Sequence, residues 1–576
     1  MSRTRGVHVV TTTRSYKGKS YHAHLLRRSY REGNKVKKET VANLTSLGDE
    51  VVELIRSALR GEPLAPAEKV FEVLNSKHHG HVKAVLLAMK QLGFEKLIAS
   101  RASRERDLVV AMVAARILEP DSKLATTRAW HSTTLAELMG VADADEEELY
   151  AALDWLVEGQ KRIEKKLAAR HLQEGSLVLF DLSSSYFEGK KCPLAAYGYN
   201  RDGKRGKLQV NWGLLCDVRG CPVAVTVFSG NTSDPDTLLP QVKKTKTEFG
   251  ITELVLVGDR GMISQKQIDQ LKDQSGVQWI SALRSGAIQK LLQEEVIQPG
   301  LFDEQNLFSI THADYPGERL VVCRNLEMAK LRAHKRQALL EATITELDKV
   351  KAMVAGGRLK AADAIGVRVG KVINKRKVAK HFELTIGENS FEYRLNQKRI
   401  EQEAASDGIY VIRTSLSQER MSSEDTVRRY KDLSHVEQAF RSIKTIDLEV
   451  RPIYHRLEAR VKAHFLLCML AYYLKWHMMQ AWKPLLFSGE QQNKETRNPT
   501  AGAKRSKSAL AKIQSKTLPD GTPVHSFHTL LRELSTIVRN RCRPQGTQDE
   551  AAAFELDTTP SPQQRRAFEL LATIRV

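Results

Sequence analysis

Arg429-Tyr-Lys-Asp-Leu-Ser-His-Val-Glu-Gln-Ala-Phe-Arg-Ser-Ile-Lys444 is the stretch from which the rest of the chain can be read. The spacing predicts a helix over 423–444, opened by Ser422 with Asp425 three positions on. At about 100° per residue, Tyr430, Glu437 and Lys444 recur every seven positions and drift only about 20° per step. They therefore share one stripe, with Arg441 about 40° to its side. Leu433, Val436, Phe440 and Ile443 form an apolar stripe beside it. Such a helix can pack on a sheet while holding an aromatic hydroxyl, a carboxylate and two cations at the edge of the contact. Taken alone, the pattern also fits a solvated Glu437–Arg441 pair on an ordinary amphipathic helix.

Two further carboxylates come after apolar runs. Ser176-Leu-Val-Leu-Phe180 leads into Asp181, and Leu254-Val-Leu-Val257 leads through Gly258 into Asp259. Both aspartates are expected at the C-terminal ends of short strands, where α/β sheets place reactive groups. For either one alone, a loop or helix-cap role would serve as well. Between and after them, Leu208–Cys216 and Pro222–Phe228 predict a hairpin across Arg219-Gly220, and Asp234-Pro235 predicts a capped helix start. A helix near 265–274 and a strand over 277–283 complete a mixed α/β order.

Tyr430, Glu437 and Lys444, in the spacing Tyr-x2-Leu-x3-Glu-x6-Lys, are similar to the Tyr-Arg-Glu-Lys signature of bacterial insertion-sequence DDE transposases, with Leu433 where that signature has Arg. Leu179-Phe-Asp181-Leu-Ser-Ser-Ser, Phe228-Ser-Gly-Asn-Thr-Ser-Asp234 and Val257-Gly-Asp259-Arg-Gly-Met262 resemble the same family. The resemblance covers about residues 176–480. It implies a ribonuclease H-like core interrupted by an insertion domain, with Asp181, Asp259 and Glu437 as catalytic metal ligands. It also implies two Mg²⁺ ions, replaceable by Mn²⁺, since hard oxygen ligands suit them. Tyr430 and Lys444 carry over as DNA-backbone contacts; Arg441, one turn after Glu437, is the geometric candidate for the missing Arg role. The implied reaction is two-metal strand cleavage and then strand transfer on the element's terminal repeats and target DNA. The assembly implied on DNA is a homodimer. A nuclease on the same fold without strand transfer, or a domesticated DNA-binding protein without catalysis, are the alternatives.

Composition agrees with a polyanionic partner. In 576 residues, Lys and Arg number 90 against 68 Asp and Glu, a formal charge of +22, which favours nucleic acid through counterion release. The six cysteines are too sparse and irregular for a disulfide framework, and 463–474 is too short an apolar run to span a bilayer. With no secretory signal at the N-terminus, a cytoplasmic, nucleoid-associated protein is expected. Cys216 and Cys221 are read as hairpin ends, not metal ligands. His78-His-Gly-His81 is read as a helix start with solvated imidazoles.

The expected organisation is a small basic β-rich unit (1–60), a helical DNA-binding region (61–170), the first part of the core (171–285), a separate α+β lobe (286–420), the final core helices (421–482), and a basic linker with a helical tail (483–576). Gly198-Tyr-Asn-Arg-Asp-Gly-Lys204-Arg205 fits part of a phosphate-binding loop but lacks its Ser or Thr and leads into a strand, so ATP binding is rejected. Its cations Arg201, Lys204 and Arg205, with Lys207, are instead expected to approach DNA phosphates.

Overall fold

The computed structural model describes residues 6–17, 19–62, 70–302, 305–488, 498–501, 505–545 and 549–576. The chain divides into two compact units: residues 1–76 with 539–558, and residues 77–538 with 559–576.

In the first unit the alternating N-terminal segment forms a three-stranded antiparallel sheet, Val7–Tyr16, Lys19–Glu32 and Lys35–Asn43, and then the helix Asp49–Leu59. Its second turn places Gly33 in the left-handed region. A second small sheet joins Phe71–His78 to Val538–Pro544 and Phe554–Asp557. The strand Phe71–His78 departs from the helical region expected over 61–170. Its sheet partner lies over 450 positions away in sequence, beyond the reach of local periodicity.

The second unit is built on an eight-stranded mixed sheet. In chain order its strands are β1 (Ser176–Tyr186), β2 (Gln209–Asp217), β3 (Pro222–Ser229), β4 (Leu254–Val257), β5 (Val277–Ala282), β6 (Leu307–Ile310), β7 (Arg319–Arg324) and β8 (Ile409–Thr414). The spatial order is β6-β7-β8-β5-β4-β1-β2-β3, with β1, β4 and β5 mutually parallel and every other pair antiparallel. Strands β6, β7 and β8 thus extend the core sheet. The part that leaves it is 326–404, narrower than the expected lobe 286–420. This lobe holds the helices Leu326–Ala355 and Ala362–Lys375 and the hairpin Phe382–Gly387/Ser390–Leu395, around a core of its own that includes Leu347, Val350, Ile365, Val369 and Phe391.

One face of the sheet carries the last helices: α1 (Ser423–Lys431), α2 (Leu433–Arg441) and α3 (Glu458–Ala481). The Trp212 ring on β2 lies between Phe440 of α2 and Phe465 of α3, with ring centroids 4.8 and 4.9 Å away. Buried aromatic pairs of this kind dominate core energetics. The apolar stripe Leu433, Val436, Phe440 and Ile443 is buried as expected. The predicted helix 423–444 is interrupted at Asp432, a buried residue between α1 and α2, and ends in a π-helical turn over Ser442–Ile446.

The C-terminal region holds more structure than its polar composition suggests. Lys507–Ser515 is a helix inside the expected linker, capped by Ser506. Part of that linker, 489–497 and 502–504, lies outside the described residues. Pro562–Ala572 forms a further helix that buries Ala567 and Leu571, opened by a capping box from Ser561 and Gln564.

Candidate active site

Parallel pairing of β1 with β4 runs from Ser176↔Leu254 to Leu179↔Val257. Asp181 and Asp259 each lie two residues beyond that last pair, so the two strands deliver them side by side. Asp181 does not end its strand as the sequence suggested. β1 continues through Ser183–Ser185 to Tyr186, paired throughout with β2. What stops at this level is β4, and its end opens the space.

Alternation sets the direction of the Asp181 side chain. Ser183 is directly opposite Trp212, so both project to one face, and Asp181 two residues earlier projects there too. That is the face on which Trp212 meets Phe440, and α2 packs on β1. Glu437 sits on the exposed side of α2.

The three acids form one electrostatic group. Asp181 is pushed up to about 7, chiefly because its carboxyl is desolvated, and the charges of Asp259 and Glu437 add to this. The Leu182 N–H, donating to its Oδ1 at 2.8 Å, and the charge of Arg201 act the other way. Tyr430 is pushed up to about 12, again first by desolvation, with Asp259, Asp181 and Glu437 all adding to it while Arg260 opposes. Its phenol is a hydrogen-bond donor facing the acids. Asp259 is held by the Gly261 and Met262 N–H groups, at 3.0 and 2.8 Å, on Oδ1 alone. Its Oδ2 has no hydrogen-bond partner among the described residues.

Among the described residues, the three acids do not bring one oxygen each within 4.8 Å of one another; His171, Cys221 and His477 are the group of potential ligands that meets that spacing. The second cluster is nevertheless arranged against metal binding. The Arg219 guanidinium donates to His171 Nδ1 at 3.2 Å, so the ring hydrogen sits on Nε2 and faces the Tyr473 hydroxyl at 3.1 Å. A ring in that tautomer has no Nε2 lone pair to offer, and a guanidinium beside it repels a cation. All six cysteines are free and buried.

The remaining expected contacts divide by partner. Glu437 and Arg441 are both exposed and form no ion pair with each other among the described residues. Leu433 is buried in the core, which explains why that position offers no cation. Lys444 is buried at the π-helical turn and donates to Asp202 Oδ1 at 2.9 Å. Arg451 pairs with the same carboxylate, and the Tyr186 N–H donates to its other oxygen at 2.9 Å. Asp234 occupies the N-cap position with Pro235 first in the helix, as expected, but its side chain makes no cap hydrogen bond and pairs with Arg201 instead. Lys207 pairs with Glu188 at 2.9 Å, Lys204 lies over the Tyr186 ring, and Arg205 is exposed without an ion pair among the described residues.

Sequence reading missed Asp202 and Arg451, which fix the loop beside the acids. It also missed why the glycines there are needed: a Cβ at Gly198 would fall 2.0 Å from Gly230 O, and one at Gly230 the same distance from Gln209 O. Two backbones in contact admit no side chain. The histidines near residue 80 open a helix as expected, and His78 is exposed, but the other two are not solvated. His79 is buried, with Nδ1 2.9 Å from Thr134 Oγ1, and burial pushes His81 down to about 4.

The chain matches the model of the transposase DDE domain over residues 173–474, more than half its length. It belongs to the DDE transposases. The N-terminal domain of the IS1634 family of insertion-sequence transposases matches residues 9–68. Among solved structures, the chain is similar to a cryo-EM structure of a piggyBac transposase synaptic complex with hairpin DNA, at 10% identity and a TM-score of 0.35, over 79% of this chain and 77% of that one. No curated protein matches. Among the described residues, no helix of this transposase is long and apolar enough to cross a membrane.

Proposed function

We propose that this transposase cuts and joins the DNA of its insertion sequence, with Asp181, Asp259 and Glu437 as the ligands of two Mg²⁺ ions on a ribonuclease H-like core. The observation that carries the reading is the shared register of β1 and β4, which places two aspartates beside each other under a helix bearing a third acid. The order β3-β2-β1-β4-β5, with β1, β4 and β5 parallel, supports the core assignment.

The residues fit hard divalent ions. Three carboxylates supply oxygen donors only, and Asp181 is desolvated without a cation of its own to balance it. When bound, such ions supply a lowered pKa for water or a DNA 3′-hydroxyl and stabilise the departing oxygen. The chain's contribution is placement. Asp259 is locked through Oδ1 and keeps Oδ2 available. Asp181, raised by desolvation, would lose its proton where it holds a cation. The Tyr430 hydroxyl, held protonated, donates to a phosphate oxygen.

Arg441, Arg205 and Lys204 are proposed as backbone contacts to double-stranded DNA, because they face solvent without carboxylate partners among the described residues. Lys444, Arg201 and Lys207 are proposed to act on DNA chiefly through the loop that their ion pairs hold. The complex with terminal repeats and target is proposed to be a homodimer. The decisive experiment incubates the full chain with DNA carrying the element's ends, with and without Mg²⁺. Metal-dependent cuts with covalently joined donor and target products are expected; cuts without joined products would favour a nuclease, and neither would overturn the reading.

A further inference from the structure

A cavity of about 750 Å³ lies between the helices Arg104–Leu118, Lys123–Ala129 and Glu146–Glu158, the loop 447–457 and α3. Its floor is buried and cationic: Lys123 is 5% exposed and Arg116 7%. Among the described residues Lys123 has no hydrogen bond or ion pair, and the one acceptor Arg116 reaches is the Asp121 carbonyl at 2.9 Å. Beside them His464 donates through Nε2 to Val450 O at 3.0 Å, which leaves Nδ1 buried without a partner. Arg456 lines the mouth and has no carboxylate partner among the described residues. The carboxylates in the wall, Asp121, Glu147 and Glu449, are all exposed and therefore screened by water.

A buried ammonium without a counterion is costly, and chains seldom keep one that only packs. Burial and the neighbouring Arg116 together push Lys123 down to about 7, the response of a cation lacking its anion. Guanidinium forks and an ammonium converging on a polar cavity match the tetrahedral oxygens of phosphate. The cavity also shares a residue with the network beside the acids. Arg451 lines it and pairs with Asp202, which accepts from Lys444.

We propose that this cavity is a phosphate-binding site, occupied by a backbone phosphate of the bound DNA. Lys123, Arg116 and Arg456 hold the phosphate. The carrier of the phosphate rests on the DNA-joining reading above; the site itself does not.

The test uses the full chain and inorganic phosphate as probe, reading thermal unfolding against chloride at equal ionic strength. Phosphate should raise the midpoint of the wild type and of Asp181→Asn. It should leave Lys123→Met unmoved and shift Arg456→Gln by less. Met matches the length of the Lys stem, so Lys123→Met should itself melt higher than the wild type without phosphate; if it does not fold, Arg456→Gln, on the surface, carries the comparison. No phosphate-specific rise in the wild type, or equal rises in the wild type and both variants, would overturn the site. In a second arm, Lys123→Met should bind duplex DNA about tenfold more weakly, with phosphate competing for the wild type. Unchanged DNA affinity with a lost phosphate response would overturn the DNA strand as occupant and assign the site to a small phosphate compound. Because Asp181→Asn keeps the phosphate response, failure of the cleavage reading and failure of this site give different results.

Discussion

Asp181, in the middle of β1, and Asp202, which accepts from Tyr186 at the end of the same strand, have opposite electrostatic fates. Asp202 is buried and saturated: Lys444, Arg451 and the Tyr186 N–H all converge on it. Asp181 is desolvated beside two more acids and receives one backbone N–H. The difference separates structural from reactive acids. A carboxylate whose partners come from its own chain holds the fold together, whereas one left short of cations is available to bind them.

The largest test of that contrast is chemical. Asp181→Ala, Asp259→Ala and Glu437→Ala should each reduce DNA cleavage by at least about a thousandfold, with duplex affinity largely kept, measured by gel cleavage and by filter binding. Activity above a few percent for any of them would remove that residue from the site. Asp202→Ala should behave differently. It strands the buried Lys444 and the half-buried Arg451, so the expected loss is about 3 kcal/mol of stability in a urea titration.

A third test uses pH. In the folded chain Asp181 is raised to about 7, while an unfolded aspartate titrates near 3.9. Between those values the folded state binds more protons than the unfolded one, so this group makes stability fall as pH rises. With chelator present, Asp181→Asn should therefore melt higher than the wild type at pH 8, and the gap should close near pH 4. Adding Mg²⁺ at pH 8 should raise the wild-type midpoint and leave the variant's almost unchanged. A gap that widens toward acid would show that Asp181 is already compensated, as Asp202 is.

The smallest effect concerns the cations. Arg441 is exposed, so Arg441→Gln should lower the slope of log affinity for DNA against log salt by about one. Lys444→Met, whose ammonium is spent on Asp202, should change the melting midpoint more than the slope.

Much of this contrast is legible in the sequence. The two apolar runs before Asp181 and Asp259, and the stripe from Leu433 to Ile443, are local patterns whose outcome depends on period alone. Asp202 is not legible, because its partners Lys444 and Arg451 lie more than 240 positions away and no periodicity connects them. The same limit hid the strand Phe71–His78 and its pairing with Val538–Pro544. The π-helical turn is also invisible to a 3.6-residue count. One extra residue in a turn re-aims the side chains beyond it, and Lys444, on the stripe of Glu437 by arithmetic, is turned inward to Asp202. The helix Lys507–Ser515 sits in a segment whose overall polarity hides it, although Ser506 is a sufficient start signal.

The lobe 326–404 is fastened to the sheet at a single place. It leaves after β7 and returns into β8, and these neighbours pair antiparallel up to Arg324↔Ile409. The Asn325 N–H donates to Gly408 O at 2.9 Å, and Gly408 takes a positive φ where a Cβ would meet Asn325 O. To the sheet, this lobe of nearly eighty residues is topologically a hairpin loop, with both ends held one strand spacing apart, about 5 Å. It has its own apolar centre. Such a segment can be exchanged, shortened or enlarged in evolution without changing the register of any core strand, much as an accessory can be changed at a fixed socket.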